Sequence, residues 1–440
     1  MSKSPNNKGE LTQELESVQL GDIAYVEMGQ SPDSRYVCDD PFVGYPFLQG
    51  NGEFGAISPA PKYGCLRPAK LSQVGDILIS VRAPVGAVNI ADRPYCIGRG
   101  LAAIRSGRLK SLLVAQLVSR QSTALRRVAQ GTTFEAVNKN DLLSLELRLP
   151  PKDELPVITE ILECIETAIH ETDALISKLR VVKQGLLHDL MTRGIDANGE
   201  LRPPQVEAPH LYKESLLGAI PKEWEVKQIT ELLADVDPAM RSGPFGSALL
   251  KEELVEAGIP LLGIDNVHAE RFVADYSRFV RSKKFVELAR YAVRPADLMI
   301  TIMGTVGRCC LVPEAIGQAL SSKHTWTITL DQDNYSPYLA MLQINYSPWV
   351  LQHFAKDQQG GTMAAIRSET LRSTMLPTPP RDEQRLIEAR LREISKRIHL
   401  EANALAKMRA EKSGLMDDLL TGRVRVTPLL AEGEQQDGST

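Results

Sequence analysis

Apolar residues recur on an alternating four-three spacing at Ile158, Leu162, Ile165, Ile169, Ile176, Leu179, Leu186 and Leu190, interrupted only by Thr172 and Lys183. This is the heptad pattern of a helix that buries a narrow seam. The pattern returns at Ile387, Leu391, Ile394, Ile398, Leu405, Met408, Leu415 and Leu419, with Glu401 and Lys412 at the two interruptions. So narrow a seam calls for one partner helix, and the economical partner for each copy is the other; the competing reading is a lone amphipathic helix lying on a domain. A globular stretch separates the two, so an antiparallel pair with approximate two-fold symmetry is predicted. Each helix starts after a proline-rich turn, LPPKDELP or LPTPPRDEQ, where proline suits the first turn and acids suit the positive end of the dipole. His170 and His399 are assigned to coiled-coil positions.

The chain is written twice. Shifted by 229 positions, residues 151–192 align with 380–421 without a gap, and 16 of 42 positions are identical. Weaker matches lie upstream. QGTTFEAV (130–137) resembles GGTMAAIR (360–367), GDILISVRAPVG (75–86) resembles ADLMITIMGTVG (296–307), and YPFLQGN (45–51) resembles IPLLGIDN (259–266). VGDILISVR, ADLMITIM, CIGRGLAAIR and SKHTWTITL read as strands, the first two buried and followed by glycine-containing turns. SLLVAQLVSRQSTALRRVAQ and SPYLAMLQINYSPWVLQHFAK alternate at helical spacing. The fold class is therefore α+β: two similar domains separated by two long antiparallel coiled-coil helices, a pseudo-two-fold internal repeat. The expected segments are a tail (1–17), a domain (18–150), a long helix (151–194), a linker (195–214), a second domain (215–379), a second long helix (380–422) and a tail (423–440).

Length and composition agree with several domains, at 440 residues, 43% hydrophobic and 24% charged. No apolar run suits a signal peptide or a membrane span, so a cytoplasmic protein without membrane contact is expected. Six cysteines, Cys38, Cys65, Cys96, Cys164, Cys309 and Cys310, show no CxxC spacing and are expected to be reduced. The net charge of −4 does not suit a nucleic-acid binder at first sight. Its distribution matters more: residues 20–150 carry 15 basic against 11 acidic side chains, and residues 215–379 carry 16 against 18. A basic surface in the second half must arise by segregation.

Catalytic motifs are scarce. There is no GxxxxGK[ST] loop for nucleotide phosphates, no GxGxxG turn, and no HExxH or other short metal-ligand pair among the seven histidines. Pro32-Asp33 and Glu225-Val226-Lys227 are elements from which nuclease metal sites are assembled, but both are common by chance and fall in different domains. Trp224 reads better as a packing anchor. Neither a catalytic residue nor a metal site is assigned.

IPKEWEVKQITEL at the start of the second domain, the GDILIS and ADLMIT strands, the Gly-Thr turns ahead of LPPKDE and PPRDEQ, and the endings KQGLLHDLMTRG and KSGLMDDLLTGRVRV together resemble the specificity subunits of type I restriction-modification systems over residues 18–427. The start of the first domain departs from the pattern, since nothing before residue 18 matches the tryptophan-containing segment at 220–226. The resemblance implies two target recognition domains, each contacting one part of a bipartite, asymmetric site on double-stranded DNA. It also implies a chain with no catalysis of its own. Two methylation subunits would carry S-adenosylmethionine and the adenine-methylating chemistry, and restriction subunits would supply ATP- and Mg-dependent translocation and cleavage. A pseudo-symmetric reader can seat two identical partners while its unlike domains read unlike half-sites.

Base readout requires donors and acceptors at base edges, so polar and arginine residues on loops beside strand ends are the candidates. The first domain offers Gln30, Ser31, Arg35, Asn51, Arg82, Arg99 and Thr133. The second offers Arg241, Ser242, Asn266, Arg308, Lys323, His324 and Arg367. Two other classes of function compete: a coiled-coil scaffold for protein partners, which strong salt dependence of DNA binding would exclude, and a solitary metal-dependent nuclease, which would cleave DNA unaided.

Overall fold

A computed structural model describes residues 15–55, 58–130, 136–358 and 365–426. Most of both tails, and Thr133, lie outside the described residues. The chain forms two compact units, one made of Met1–Ile176 with Leu400–Thr440, the other of Ser177–His399.

In the first unit a four-stranded antiparallel sheet runs in the order Ala24–Met28, Leu101–Ser106, Ile77–Ser80, Val88–Ile90. A second sheet runs Val37–Cys38, Tyr63–Cys65, Tyr45–Leu48, Cys96–Ile97, the last pair parallel. The second unit repeats this strand order. Its sheets are Met240–Ser242, Thr325–Ile328, Leu298–Thr301, Cys309–Leu311 and Leu254–Val255, Phe279–Val280, Ile259–Leu262, Leu320–Ser321, again with one parallel pair at the end. GDILIS and ADLMIT are the buried third strands of the two main sheets, as their unbroken apolar runs require. Glu16–Gln19 pairs with Glu146–Leu149 just as Glu225–Gln228 pairs with Met375–Thr378. The first domain thus opens with the same strand as the second, although its sequence there lacks the tryptophan-containing pattern.

The two long helices are Leu155–Thr192 and Arg381–Leu420. Each unit takes half of each. In the first unit, Ile158 and Leu162 from the start of one helix share a core with Met416, Leu419 and Leu420 from the end of the other. Around them lie Val26, Ile77, Ile79 and Ile104 of the main sheet and Leu113 and Leu117 of the helix Ser111–Arg120. In the second unit, Leu187, Leu190 and Met191 share a core with Ile387 and Leu391. Start meeting end is the antiparallel pairing that the seam predicted. The polar interruptions have partners: Lys412 pairs with Glu166 in the first unit, and Lys183 with Glu270 in the second.

Three details differ from the sequence reading. Leu415 is 38% exposed and Leu186 only half-buried, while Met416 and Leu187 beside them are buried. His170 and His399 are exposed, outside the buried stripe. Residues 195–214, expected as a linker, pack into the second unit through Ile195, Arg202, Ala208 and Tyr212. Arg202 pairs with Glu383, and the matching acid of the first repeat, Glu154, accepts from Arg425 Nε at 2.8 Å. In both units the segment that follows a long helix returns an arginine to the acid at the start of the other.

Candidate nucleic-acid interface

In the first unit four loops meet at one open cleft. Strand Tyr45–Leu48 ends at Gln49, and Gly98 N donates to Leu48 O at 2.8 Å, so the Gly98-Arg99-Gly100 turn lies against it. The hairpin after Ile77–Ser80 is clamped by Ser80, whose Oγ donates to Pro84 O at 2.7 Å and accepts from Ala87 N at 2.9 Å. Val81 N donates to Gly100 O at 2.9 Å, which sets Arg82 and Arg99 on either side of one hydrogen bond. Arg99 Nε donates to Ser31 Oγ at 3.2 Å. Ser31, Gln49, Asn51, Arg82 and Arg99 line a cleft of about 300 Å³, together with Glu53, whose carboxylate accepts from Gly50 N. Four of the seven candidates of this domain therefore come together.

The floor demands glycine. A Cβ on Gly100 would stand 2.6 Å from Gln49 O, whereas one on Gly50 would meet nothing within 4 Å. Gly100→Ala should therefore cost about 1–3 kcal/mol through overpacking, with Gly50→Ala close to neutral. Chemical denaturation of the two variants checks this. Equal stability would mean that the turn is free to move.

The second unit builds the same frame from other residues. Ser322 N donates to Leu262 O at 2.8 Å, Ile302 N donates to His324 O at 3.1 Å, and Thr301 Oγ1 accepts from Arg308 N at 3.0 Å while donating to Thr305 O. Asn266 Oδ1 accepts from Gly263 N at 2.9 Å, the part Glu53 plays in the first unit. By this correspondence Met303 stands in place of Arg82, Lys323 in place of Arg99 and His324 in place of Gly100. Burial, with Lys323 and Arg278 nearby, holds the His324 imidazole below its ordinary pKa and so favours its neutral form.

Three candidates of the second domain are structural. Arg241 is buried and ion-paired with Asp297, and it donates to Ala292 O at 2.7 Å and Thr329 Oγ1 at 2.9 Å. Burial pushes the Asp297 carboxyl up, against the pull of Arg241 and Thr329. Asn266 is buried and spends its amide on Val273 O and Asp275 O, and Ser242 is buried below Lys323. All three are engaged within the fold. Lys323, Arg308 and Arg367 are exposed. In the first unit Gln30 and Arg35 are exposed but outside the cleft lining, and Arg35 is paired with Asp33 at 2.6 Å. Gln49, which lines the cleft of the first unit, was not among the candidates, and in the second unit Arg278 pairs with Asp265 at 2.7 Å. The aligned YPFLQGN and IPLLGIDN segments contain Gln49 and Asp265, the partner of Arg278.

The nuclease elements are occupied by their own neighbours, since Asp33 holds Arg35 and Glu225 holds Lys227 at 3.0 Å. Trp224 is fully buried, as a packing anchor should be. Among the described residues, no cluster of three or more His, Cys, Asp or Glu side chains could hold a metal ion.

The same frame thus occurs in both units with unlike side chains at matching positions. Residues 12–179 match the family model described as the type I restriction modification DNA specificity domain. Two relatives come from Methanocaldococcus jannaschii. The type I restriction enzyme MjaX specificity subunit is 38% identical over 188 residues, covering 42% of this chain and 44% of the relative. The MjaVIII specificity subunit is 22% identical over 309 residues, covering 69% and 68%. The alignment thus spans less than half the length of the first relative. In three dimensions the chain is similar to the type I restriction-modification S subunit from M. genitalium, with a TM-score of 0.58 and 15% identity, covering 93% of this chain and 97% of that one. The chain as a whole has the fold of a type I specificity subunit, which bears out the resemblance read from its sequence.

Proposed function

We propose that this chain is the DNA-reading, non-catalytic specificity subunit of a type I restriction-modification complex. Each unit contacts one half of a bipartite, asymmetric site on double-stranded DNA, and the complex directs adenine methylation or cleavage through its partners. The supporting observation is the pair of topologically matched units that carry different side chains at corresponding loop positions, Arg82 and Arg99 in the first against Met303 and Lys323 in the second, as a reader of two unlike half-sites requires. The partners in this reading are two methylation subunits, which hold S-adenosylmethionine, and restriction subunits, which hold ATP and Mg. A cytoplasmic location fits these partners; among the described residues no helix is long and apolar enough to cross a membrane.

Exchanging residues 20–150 for those of a relative should change one half of the methylated site and leave the other intact. Methylome mapping of cells carrying the hybrid reads this directly. A change in both halves, or in neither, would overturn the assignment of one unit to one half-site.

A further inference from the structure

The cleft of the first unit holds a feature that the second lacks. Arg82 and Arg99 flank the hydrogen bond from Val81 N to Gly100 O, so their backbones are about one strand spacing apart, roughly 5 Å. Both side chains are exposed at the same cleft. Arg99 is held at its base by Ser31, through its Nε and its backbone N, while among the described residues no acceptor meets its terminal nitrogens. The rest of the lining is small or polar apart from Glu53, which is engaged with Gly50 N. Two planar guanidinium forks rooted this closely match the O6 and N7 acceptors of guanines on neighbouring base pairs, which repeat about every 3.4 Å along B-DNA. In the second unit the same frame places Met303 and Lys323 at these positions, an apolar chain and a flexible point charge without a fork.

Resting on the reading of the chain as a DNA-binding specificity subunit, we propose that Arg82 and Arg99 are specificity-determining residues that read guanine, so that the half-site of the first unit contains adjacent or nearly adjacent guanines. Ser31 and the Gly98-Arg99-Gly100 turn act as positioning elements for Arg99. Glycine on both sides lets that turn sit against the Gln49 backbone, where a Cβ on Gly98 would lie 3.1 Å from Gln49 Cα.

The test is selection from a pool of randomised DNA duplexes by the native complex isolated through the full-length chain, repeated with Arg82→Gln, Arg99→Gln and Arg99→Lys. The parent complex should enrich two fixed segments, one containing guanines. Each glutamine variant should lose the preference for one guanine in that segment only, binding the parent sequence about ten- to a hundredfold more weakly while sequences lacking that guanine are nearly unaffected. Arg99→Lys should keep the charge and lose part of the preference. Two results would overturn the proposal: a first-unit segment that contains no guanine, or variants that weaken all duplexes alike and lower the salt slope by about one, the mark of phosphate contacts. Failure of the parent complex to enrich any segment would instead sink the underlying reading of the chain as a sequence reader. Thermal denaturation of the exposed-site variants should match the parent, so that a folding defect is separated from a change in readout.

Discussion

Replacing Glu383 with alanine should destabilise the second unit by about 3–5 kcal/mol, the typical cost of removing one partner of a buried ion pair. The Glu383 carboxylate is buried and receives four donors. Arg202 Nη2 donates to it at 3.0 Å, Trp224 Nε1 at 3.0 Å and Ile195 N at 2.8 Å, and Arg202 Nη1 supplies the fourth. Without the carboxylate a buried guanidinium, an indole N–H and a backbone N–H are left unsatisfied together. Gly194 adds a steric constraint: its φ is +66°, and a Cβ there would fall 2.1 Å from Glu383 Oε1. All three tryptophans of the chain, Trp224, Trp326 and Trp349, lie in the second unit, so tryptophan fluorescence during urea unfolding follows that unit alone. Glu383→Gln keeps an acceptor and should cost less. The pair Arg202→Met with Glu383→Leu removes both charges and should recover much of the loss. If Glu383→Ala unfolds at the parent urea concentration, the cluster is not what holds the segment after the first helix.

Much of this architecture was legible because the physics behind it is local. Heptad spacing fixes the face a helix buries, and unbroken apolar runs such as GDILIS mark strands covered on both sides. The repeat then carried the reading from one unit to the other. The candidate site was legible in part. Ser31, Asn51, Arg82 and Arg99 come together at one cleft because all four lie on loops beside strand ends, which is where the sequence placed them. Arg241 was misread for a reason that the sequence does not display: its partner Asp297 lies 56 residues away, and only the folded sheet brings them together. A trace of this was present. Asp76 and Asp297 occupy the same place in the repeat, and each is buried against an arginine, Arg105 in the first unit and Arg241 in the second. Asn266 was misread because a capping side chain and a base-reading side chain have the same chemistry; what separates them is the three-residue return to Gly263 N. The segment 195–214, expected as a linker, is fastened to the second unit by Arg202, whose partner Glu383 lies 181 residues away in sequence.

The seam prediction can now be made position by position. Leu405→Glu should cost the first unit several kcal/mol, because a carboxylate would replace an apolar side chain that is 6% exposed. Leu415→Glu, only ten residues further along the same heptad pattern, should be nearly neutral, because Leu415 is exposed. The pattern alone gives the two positions equal weight. They differ because the last turns of each long helix are covered by more than one neighbour. Met416, Leu419 and Leu420 enter the core of the first unit, just as Leu187, Leu190 and Met191 enter that of the second, and these i, i+3, i+4 sets are the wider stripe of a helix docked on a domain. The stripe turns by about 100° per residue, so moving the buried face by one position carries Leu415 out to solvent. Circular dichroism during urea unfolding of the two variants decides it. Equal destabilisation would restore a simple two-helix seam along the whole length, and equal indifference would mean that the long helices do not bury Leu405 in solution.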